Sequence, residues 1–209
     1  MVSIHMTGTI SGDAPEGSEP WALQRSGDYK TKRLYCVTAL PRSHDTWVLI
    51  AGPGGEVLVF DLQSLRKINE WKGTHASTYV TSLAVIEDRN TVLTFAGADS
   101  GELFLHDSSS SQQIDRIIRA HQSDVAALCI GASQAGACVI SGGKDGFVRF
   151  WTLQLESLGE IEVETPICSL SMAGNDLLFV GTTRGVMMLR LDWELMLSSV
   201  DRTGPSVTT

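Results

Sequence analysis

Short apolar runs separated by turn-forming residues dominate the hydrophobic pattern of this chain. Four of these runs end near a glycine and are followed at once by a second apolar run. The aligned glycines are Gly55, Gly101, Gly146 and Gly185. An apolar run, a glycine-containing turn and another apolar run are typical of a β-hairpin. The pattern therefore predicts four hairpins that recur about every 40 to 46 residues.

Each predicted hairpin is flanked by two more apolar runs. The runs before the hairpins lie at 34–40, 80–86, 125–131 and 166–172, and weaker runs after them lie at 66–72, 113–119, 158–164 and 193–199. The runs are too short for helices, and no long stretch has a 3.6-residue period, so the chain is predicted to be all-β. Repeats of four short strands predict a β-propeller with four recognisable four-stranded blades.

The repeat also predicts domain boundaries. The two ends, 1–18 and 200–209, are polar and rich in turn-forming residues, so we expect them to be disordered. Residues 19–33 are predicted to form a linker and an outer strand, in which Trp21 and Leu23 alternate. That strand would belong to a preceding blade or to the last blade of a closed ring. The four blades are expected at 34–72, 73–119, 120–164 and 165–199.

The third repeat resembles the WD-repeat family. RAHQSDVAALCI followed by SGGKDGFVRFWT has a histidine before the first strand, Asp-Gly in the hairpin turn and Trp151 at the end of the third strand. Thr152 stands where the family usually has aspartate. The other repeats depart further from the pattern, since the tryptophan position holds Phe60, His106 and Arg190 in repeats one, two and four. His75 takes the histidine position of repeat two, and the resemblance covers roughly residues 34–197.

The resemblance implies a structural role for four side chains of the third repeat. In WD repeats they form a buried hydrogen-bond chain, which here would join Trp151, Ser141, His121 and Asp145. A catalytic triad of Ser141, His121 and Asp145 is the competing interpretation. A triad needs an exposed nucleophile on a strained turn, whereas Ser141 ends an apolar strand and lacks a G-x-S-x-G motif. We expect a structural network and no enzymatic activity.

Charge and composition argue against several function classes. The formal net charge is −8, so a broad basic surface for direct nucleic-acid binding is not expected. No basic run or long apolar run supports binding to or insertion into a membrane. The histidines lack zinc-ligand spacing, and no metal or cofactor is expected. The cysteines all lie in apolar runs without C-x-x-C spacing, which predicts buried, reduced thiols and a cytoplasmic or nuclear location.

A WD-repeat propeller implies a non-enzymatic scaffold or adaptor for protein–protein interaction, as a subunit of a multiprotein complex. The loops before the first strands and the hairpin turns would form the partner-binding face. The residues expected there are Tyr79, Asp99, Ser100, Gln122, Asp124, Lys144 and Arg184, with Pro53 beside them. A substrate receptor of a cullin-type ubiquitin ligase is an alternative, although the Trp-Asp-x-Arg ending of such receptors is missing. A propeller hydrolase or lactonase and a subunit enclosed in a large assembly stay open as well.

Four blades are fewer than the family usually needs to close a ring of about seven. An open arc leaves the apolar faces of its terminal blades exposed, which is costly. A second copy could complete the propeller, another protein could supply the missing blades, or the chain could be a shortened form of a longer protein. A compact four-bladed ring would also close the structure. The sequence leaves these routes open.

Overall fold

The structure is a computed structural model whose regular secondary structure is almost entirely β. Apart from one helical turn at Trp193 and Glu194, the regular elements of the described residues are strands. This confirms the predicted all-β fold. Within this part of the chain, no helix is long and apolar enough to cross a bilayer. The structure describes residues 34–42, 45–52, 54–72, 78–108, 116–133 and 136–194, and the backbone alone of 2–7 and 23–29.

Strands β1 and β2 form a separate two-stranded sheet. β1 (Val2–Thr7) pairs antiparallel with β2 (Leu23–Tyr29). β1 lies in the segment that the sequence predicts to be disordered, and β2 lies in the predicted outer strand. In the sheets described, β2 pairs with β1 and not with a strand of a blade.

Three antiparallel sheets contain four strands each, and neighbouring strands in each sheet are consecutive in the chain. This is the up-and-down order of a propeller blade, and the strands fall in the predicted apolar runs. Blade 1 contains β3 (Cys36–Pro41), β4 (Thr46–Ala51), β5 (Glu56–Asp61) and β6 (Lys67–Lys72). Blade 2 contains β7 (Val80–Asp88), β8 (Thr91–Ala98), β9 (Glu102–Asp107) and β10 (Arg116–Arg119). Blade 3 contains β11 (Val125–Ser133), β12 (Gly136–Gly143), β13 (Phe147–Trp151) and β14 (Ser157–Glu162).

Blade 4 has three described strands. They are β15 (Ile167–Ala173), β16 (Leu177–Thr182) and β17 (Gly185–Arg190). The fourth strand was predicted at 193–199, and for Trp193 and Glu194 this prediction is wrong. The Trp193 indole N–H donates to the Asn175 carbonyl at 2.5 Å, and its ring is buried between blades 3 and 4. Trp193 therefore packs between blades 3 and 4 and does not begin a fourth strand beside β17. Residues 195–199 lie outside the described residues.

Successive blades pack face to face through their middle strands. In β4, for example, Leu49 and Ala51 pack against blade 2, whereas Val48 and Ile50 belong to a cluster on the opposite face. Both faces of such a strand are buried, which explains why the middle strands have continuous apolar runs instead of strict alternation. We call the face turned toward the next blade in the chain the forward face.

Glycines on the forward faces allow this close packing. A Cβ on Gly142 in β12 would lie 2.6 Å from Cγ2 of Ile167, the first residue of β15. A Cβ on Gly97 in β8 would lie 2.5 Å from Cγ1 of Val125, the first residue of β11. Each glycine therefore leaves room for the first strand of the following blade.

Candidate functional site

The four predicted network residues of blade 3 lie together. The Trp151 indole N–H donates to Ser141 Oγ at 2.9 Å, and Ser141 Oγ lies 2.8 Å from His121 Nε2. His121 Nδ1 lies 2.9 Å from Asp145 Oδ1. Trp151 and Ser141 are on the adjacent strands β13 and β12, His121 precedes β11, and Asp145 is in the turn between β12 and β13. The chain of contacts thus links the loop before β11 to β12, β13 and the turn between them.

Burial and charge determine how the protons are arranged. Burial lowers the pKa of His121, with opposing effects from Asp145, so the ring is neutral near pH 7. Burial alone would raise the pKa of Asp145, but hydrogen bonds from the Gln122 amide, His121 and Arg149 outweigh it and lower this pKa to about 2. A neutral imidazole beside a carboxylate carries its proton on Nδ1, because only a donor there can pair with Asp145. His121 Nε2 therefore accepts from the Ser141 hydroxyl, which in turn accepts from the indole.

The connectivity of Ser141, His121 and Asp145 is that of a catalytic triad, but its surroundings are different. Ser141 has 0% of its surface exposed and His121 has 2%. The remaining approach to Ser141 Oγ is taken by the Trp151 indole. The Ser141 hydroxyl is thus enclosed by its hydrogen-bond partners and out of contact with solvent.

Arg149 extends the network, although the sequence analysis did not identify it. Its Nη1 donates to Asp145 Oδ2 and to the Ala120 carbonyl, both at 3.0 Å, and its Nε donates to Glu160 Oε2 at 2.8 Å. Nη1 also lies 2.9 Å from His121 Nδ1. This contact is not a hydrogen bond when Nδ1 carries the proton, since both nitrogens are then donors. Arg149 precedes Trp151 by two positions on β13, so strand alternation could have placed it on the network face.

Blade 2 does not repeat the network. Ala96 stands at the register position of Ser141, and Ser100 stands at that of Asp145. His106, at the tryptophan position, is buried and its ring centroid lies 4.8 Å from that of Trp71 in blade 1. Thr94 and Ser108 instead share a buried hydrogen bond of 2.6 Å. His75 lies outside the described residues.

The residues predicted to bind partners lie at one end of the blades. This end, called the top face, contains the residues that enter the first strands and the turns between the second and third strands. Backbone hydrogen bonds join these two groups: Lys144 N–H donates to the Asp124 carbonyl at 3.0 Å, and Asp99 N–H donates to the Tyr79 carbonyl at 3.0 Å. Ser100 and Arg184 are in the equivalent turns of blades 2 and 4, Gln122 lies in the loop before β11, and Pro53 is outside the described residues.

Charged and aromatic contacts differ from blade to blade on the top face. In blade 3, the exposed Lys144 ammonium pairs with the Asp124 carboxylate. In blades 1 and 2, Tyr35 and Tyr79 form an edge-to-face pair with ring centroids 5.6 Å apart. Tyr35 was missed in the sequence analysis, but it holds the same position as Tyr79, immediately before the first strand of its blade.

The cysteines agree only in part with the predicted buried thiols. Cys138 is buried, Cys36 and Cys129 are half-buried, and all four thiols are free. Burial raises the pKa of each of these three to about 12, which keeps them protonated and unreactive. Cys168 is exposed, and for this residue the prediction is wrong. It lies at the irregularity in the pairing of β15 with β16, where alternation is interrupted.

Comparison with known proteins adds the family of the third repeat. Residues 112–152 match the family model described as WD domain, G-beta repeat. This match identifies the third repeat as a WD repeat. The matched range includes all four residues of the buried network, so the WD-repeat assignment and the hydrogen bonds describe the same blade.

Two solved structures share the propeller fold of this chain. The crystal structure of RRP9 WD40 repeats is 15% identical with a TM-score of 0.60, and the match covers 71% of this chain and 44% of that one. A chain in the crystal structure of the mitotic checkpoint complex is 20% identical with a TM-score of 0.59, and the match covers 74% of this chain and 47% of that one. Each match thus spans less than half the length of the solved chain. The search of curated proteins finds no match.

Proposed function

We propose that this WD-repeat chain is a non-enzymatic scaffold for protein–protein interaction, a subunit that packs against a β-sheet blade of another polypeptide. The forward face of blade 4 is the main observation in support. The top-face residues named above are proposed as a second contact surface. The sealed position of Ser141 supports a role without catalysis at the network.

The forward face of blade 4 is apolar and open. Phe179 is 36% exposed, Val186 73% and Met188 61%. Phe179 pairs with Met188 and Gly181 pairs with Val186 across β16 and β17, so the four residues share one face. Large apolar side chains grouped on one exposed face are typical of an interaction surface.

This face has the design of the faces that pack between blades in the same chain. By strand register, Phe179 corresponds to Ile140, Met188 to Phe150 and Gly181 to Gly142. Ile140 and Phe150 are buried in the interface between blades 3 and 4. Gly142 leaves room there for the first residue of the next blade. Gly181 holds the equivalent position, although Ser169 Oγ of the same blade lies close to where its Cβ would be. The matching register of Phe179, Met188 and Gly181 supports a blade as the occupant.

The edge of blade 4 supports the same occupant. In blades 1 to 3 a fourth strand pairs with the third, whereas the described residues contain no strand beside β17 on that side. An unpaired strand edge offers main-chain donors and acceptors to another strand. A partner could therefore contribute both a face and a strand.

The different exposure of the outer faces of blades 1 and 4 favours a different polypeptide over a second copy. The face of each blade opposite its forward face is called the rear face. Head-to-tail closure by two copies would place the rear face of blade 1 against the forward face of blade 4. The centre of that rear face is already buried: Val48, Ile50 and Leu58 are 3%, 0% and 2% exposed, although Val37 at its first strand is 65% exposed. A second copy would therefore find little open apolar surface at the centre of blade 1.

We further propose an intracellular, reducing location, the cytoplasm or nucleus. The four free thiols, one of them exposed, support this proposal. An engineered chain directed to a secretory compartment would be expected to form mixed disulfides through Cys168.

The solution mass of the purified chain, measured by light scattering coupled to size exclusion, tests the interaction surface. We expect heterogeneous association above the 22.6 kDa monomer, strongly reduced by Met188→Lys because a charge on this face opposes its burial. Ile117→Lys, at an exposed apolar position on β10, is the matched control and should not change the association. A discrete dimer abolished by Met188→Lys would make a second copy the occupant, and a monodisperse monomer would contradict the proposal.

A further inference from the structure

Tyr35 and Tyr79 form an exposed aromatic corner on the top face. Their ring planes meet at 60° with centroids 5.6 Å apart, and the residues are 46% and 42% exposed. Core packing does not require rings that are exposed to this extent. Two aromatic walls at such an angle leave ring faces accessible to a ligand.

The backbone holds this corner in place. Tyr35 N–H donates to the Ala51 carbonyl at 2.9 Å. Tyr79 N–H donates to Asp99 Oδ1 at 2.9 Å, and Asp99 N–H donates back to the Tyr79 carbonyl at 3.0 Å. The carboxylate of Asp99 is therefore fixed beside the second tyrosine, and the site needs little ordering before it binds.

The negative charge of Asp99 beside the corner lacks the ion pair that the equivalent position has in blade 3. The turn position of Lys144 in blade 3 is held by Asp99 in blade 2, and the position of Asp124 is held by Tyr79. Lys144 pairs with Asp124, whereas among the described residues Asp99 forms no ion pair. An aromatic pair next to a carboxylate that lacks an ion pair attracts a cation.

We propose that Tyr35, Tyr79 and Asp99 bind a lysine or arginine side chain from a basic segment of a partner protein. A cation within about 6 Å of a tyrosine ring centroid is attracted by the negative face of the ring. The carboxylate adds a charged acceptor for its N–H groups. The chain's net charge of −8 favours approach of a basic segment. This inference rests on the proposed interaction function but uses a surface separate from blade 4.

The test is fluorescence anisotropy with a labelled peptide of alternating lysine and glycine. A length of about twelve residues is enough to offer several cations to one corner. We expect the peptide to bind, and the same peptide with acetylated lysines to bind at least about ten times more weakly, because acetylation removes the charge. Tyr79→Leu should weaken binding about two- to five-fold, and Tyr79→Phe should retain it since the ring remains.

Asp99→Asn and Asp124→Asn form a matched pair of variants. Each removes one negative charge from the top face, but Asp124 is already paired with Lys144. We expect Asp99→Asn to weaken binding and Asp124→Asn to leave it within about two-fold of the wild type, as expected for an exposed ion pair. Equal losses in the two variants would overturn the inference in favour of general electrostatic attraction. Equal binding of the acetylated peptide would overturn it by showing that the positive charge is not recognised.

Further measurements separate this inference from the proposed function. Thermal unfolding of each variant shows whether the blade is intact, and Tyr35→Leu replaces Tyr79→Leu if the latter does not fold. Met188→Lys should leave peptide binding unchanged, and Tyr79→Leu should leave the association through blade 4 unchanged. If the peptide fails to bind while blade 4 still drives association, the cation site is wrong and the scaffold proposal stands.

Discussion

At the scale of single residues, the hydrogen bonds of the buried network in blade 3 share side chains, so replacing one residue breaks more than one bond. Ser141 stands at its centre, because its hydroxyl contacts both the Trp151 indole and His121 Nε2. Removing a shared partner leaves a buried donor and a buried acceptor without water. The stability of the blade should therefore depend strongly on this one small side chain.

Ser141→Ala is predicted to lower the free energy of unfolding by about 1–3 kcal/mol, since it leaves the Trp151 N–H and His121 Nε2 without their partner. Urea denaturation followed by tryptophan fluorescence measures the change. Ser157→Ala, at an exposed position on β14, is the control and should change the free energy by less than about 0.5 kcal/mol. Equal effects of the two substitutions would show that the network contributes no special stability.

The pKa of Asp145 predicts how the stability of blade 3 depends on pH. Its folded-state pKa is about 2, below the ordinary value of 3.8. The stabilisation is therefore complete above the ordinary value and is lost as the pH falls through 3.8 toward 2. His121 acts in the same direction, because burial lowers its pKa and the unfolded chain takes up the proton first.

Asp145→Asn should therefore be less stable than the wild type at pH 7, and the difference should narrow as the pH is lowered to about 2. Urea denaturation of both proteins across this range measures the narrowing. Asp176→Asn serves as the control, because Asp176 pairs at the surface with the exposed Arg190. If the difference in the free energy of unfolding between wild type and Asp145→Asn stays constant with pH, the contacts of the Asp145 carboxylate with Arg149 and His121 are contradicted.

The sequence could predict the network residues only where a motif linked them. The pattern around Trp151 was sufficient for Ser141, His121 and Asp145 to be named together. Arg149 has no place in that pattern, and its partners Ala120 and Glu160 are brought to it by the folding of the blade. Cys168 was misassigned because an apolar run does not reveal an irregularity in strand pairing.

At the scale of elements, hydrophobic runs were sufficient to place most strands of blades 1 to 3. The hairpin turns of blades 2 and 3 contain Gly101 and Gly146. Their φ angles are +83° and +86°, a region in which glycine is favoured. The prediction at Trp193 was wrong because alternation alone cannot show that the indole hydrogen bonds to Asn175. Local pattern identifies a strand, whereas tertiary contacts decide where the last one ends.

Gly142→Ala is predicted to destabilise the packing of blade 3 on blade 4 by about 1–3 kcal/mol, because the added methyl group would overlap Ile167. Thermal and urea unfolding measure the effect. Ala132→Val, at an exposed position on β11, adds more volume on a strand and should be nearly neutral. A neutral Gly142→Ala would mean that the two blades are packed less closely than the structure indicates.

At the scale of the whole molecule, the repeat predicts a row of blades but not which terminal face is open. The apolar runs of blade 4 resemble those of blade 3, yet Phe179 and Met188 are exposed while Ile140 and Phe150 are buried. Among the described sheets, blade 3 is followed by another blade and blade 4 is not. No local pattern contains that information, so the structure was needed to identify the exposed apolar face.

Hydrogen–deuterium exchange of the isolated chain most directly tests the account of an open blade 4. It compares two equivalent third strands, β17 (Gly185–Arg190) and β13 (Phe147–Trp151), of which only β13 has a strand on each side in the described sheets. We predict that backbone amides of β17 exchange much faster than those of β13, because unpaired and locally opening edges lose protection. Equal, strong protection of β17 in the monomer would show that its edge is already covered, and would contradict the proposal that blade 4 is the surface open to a partner.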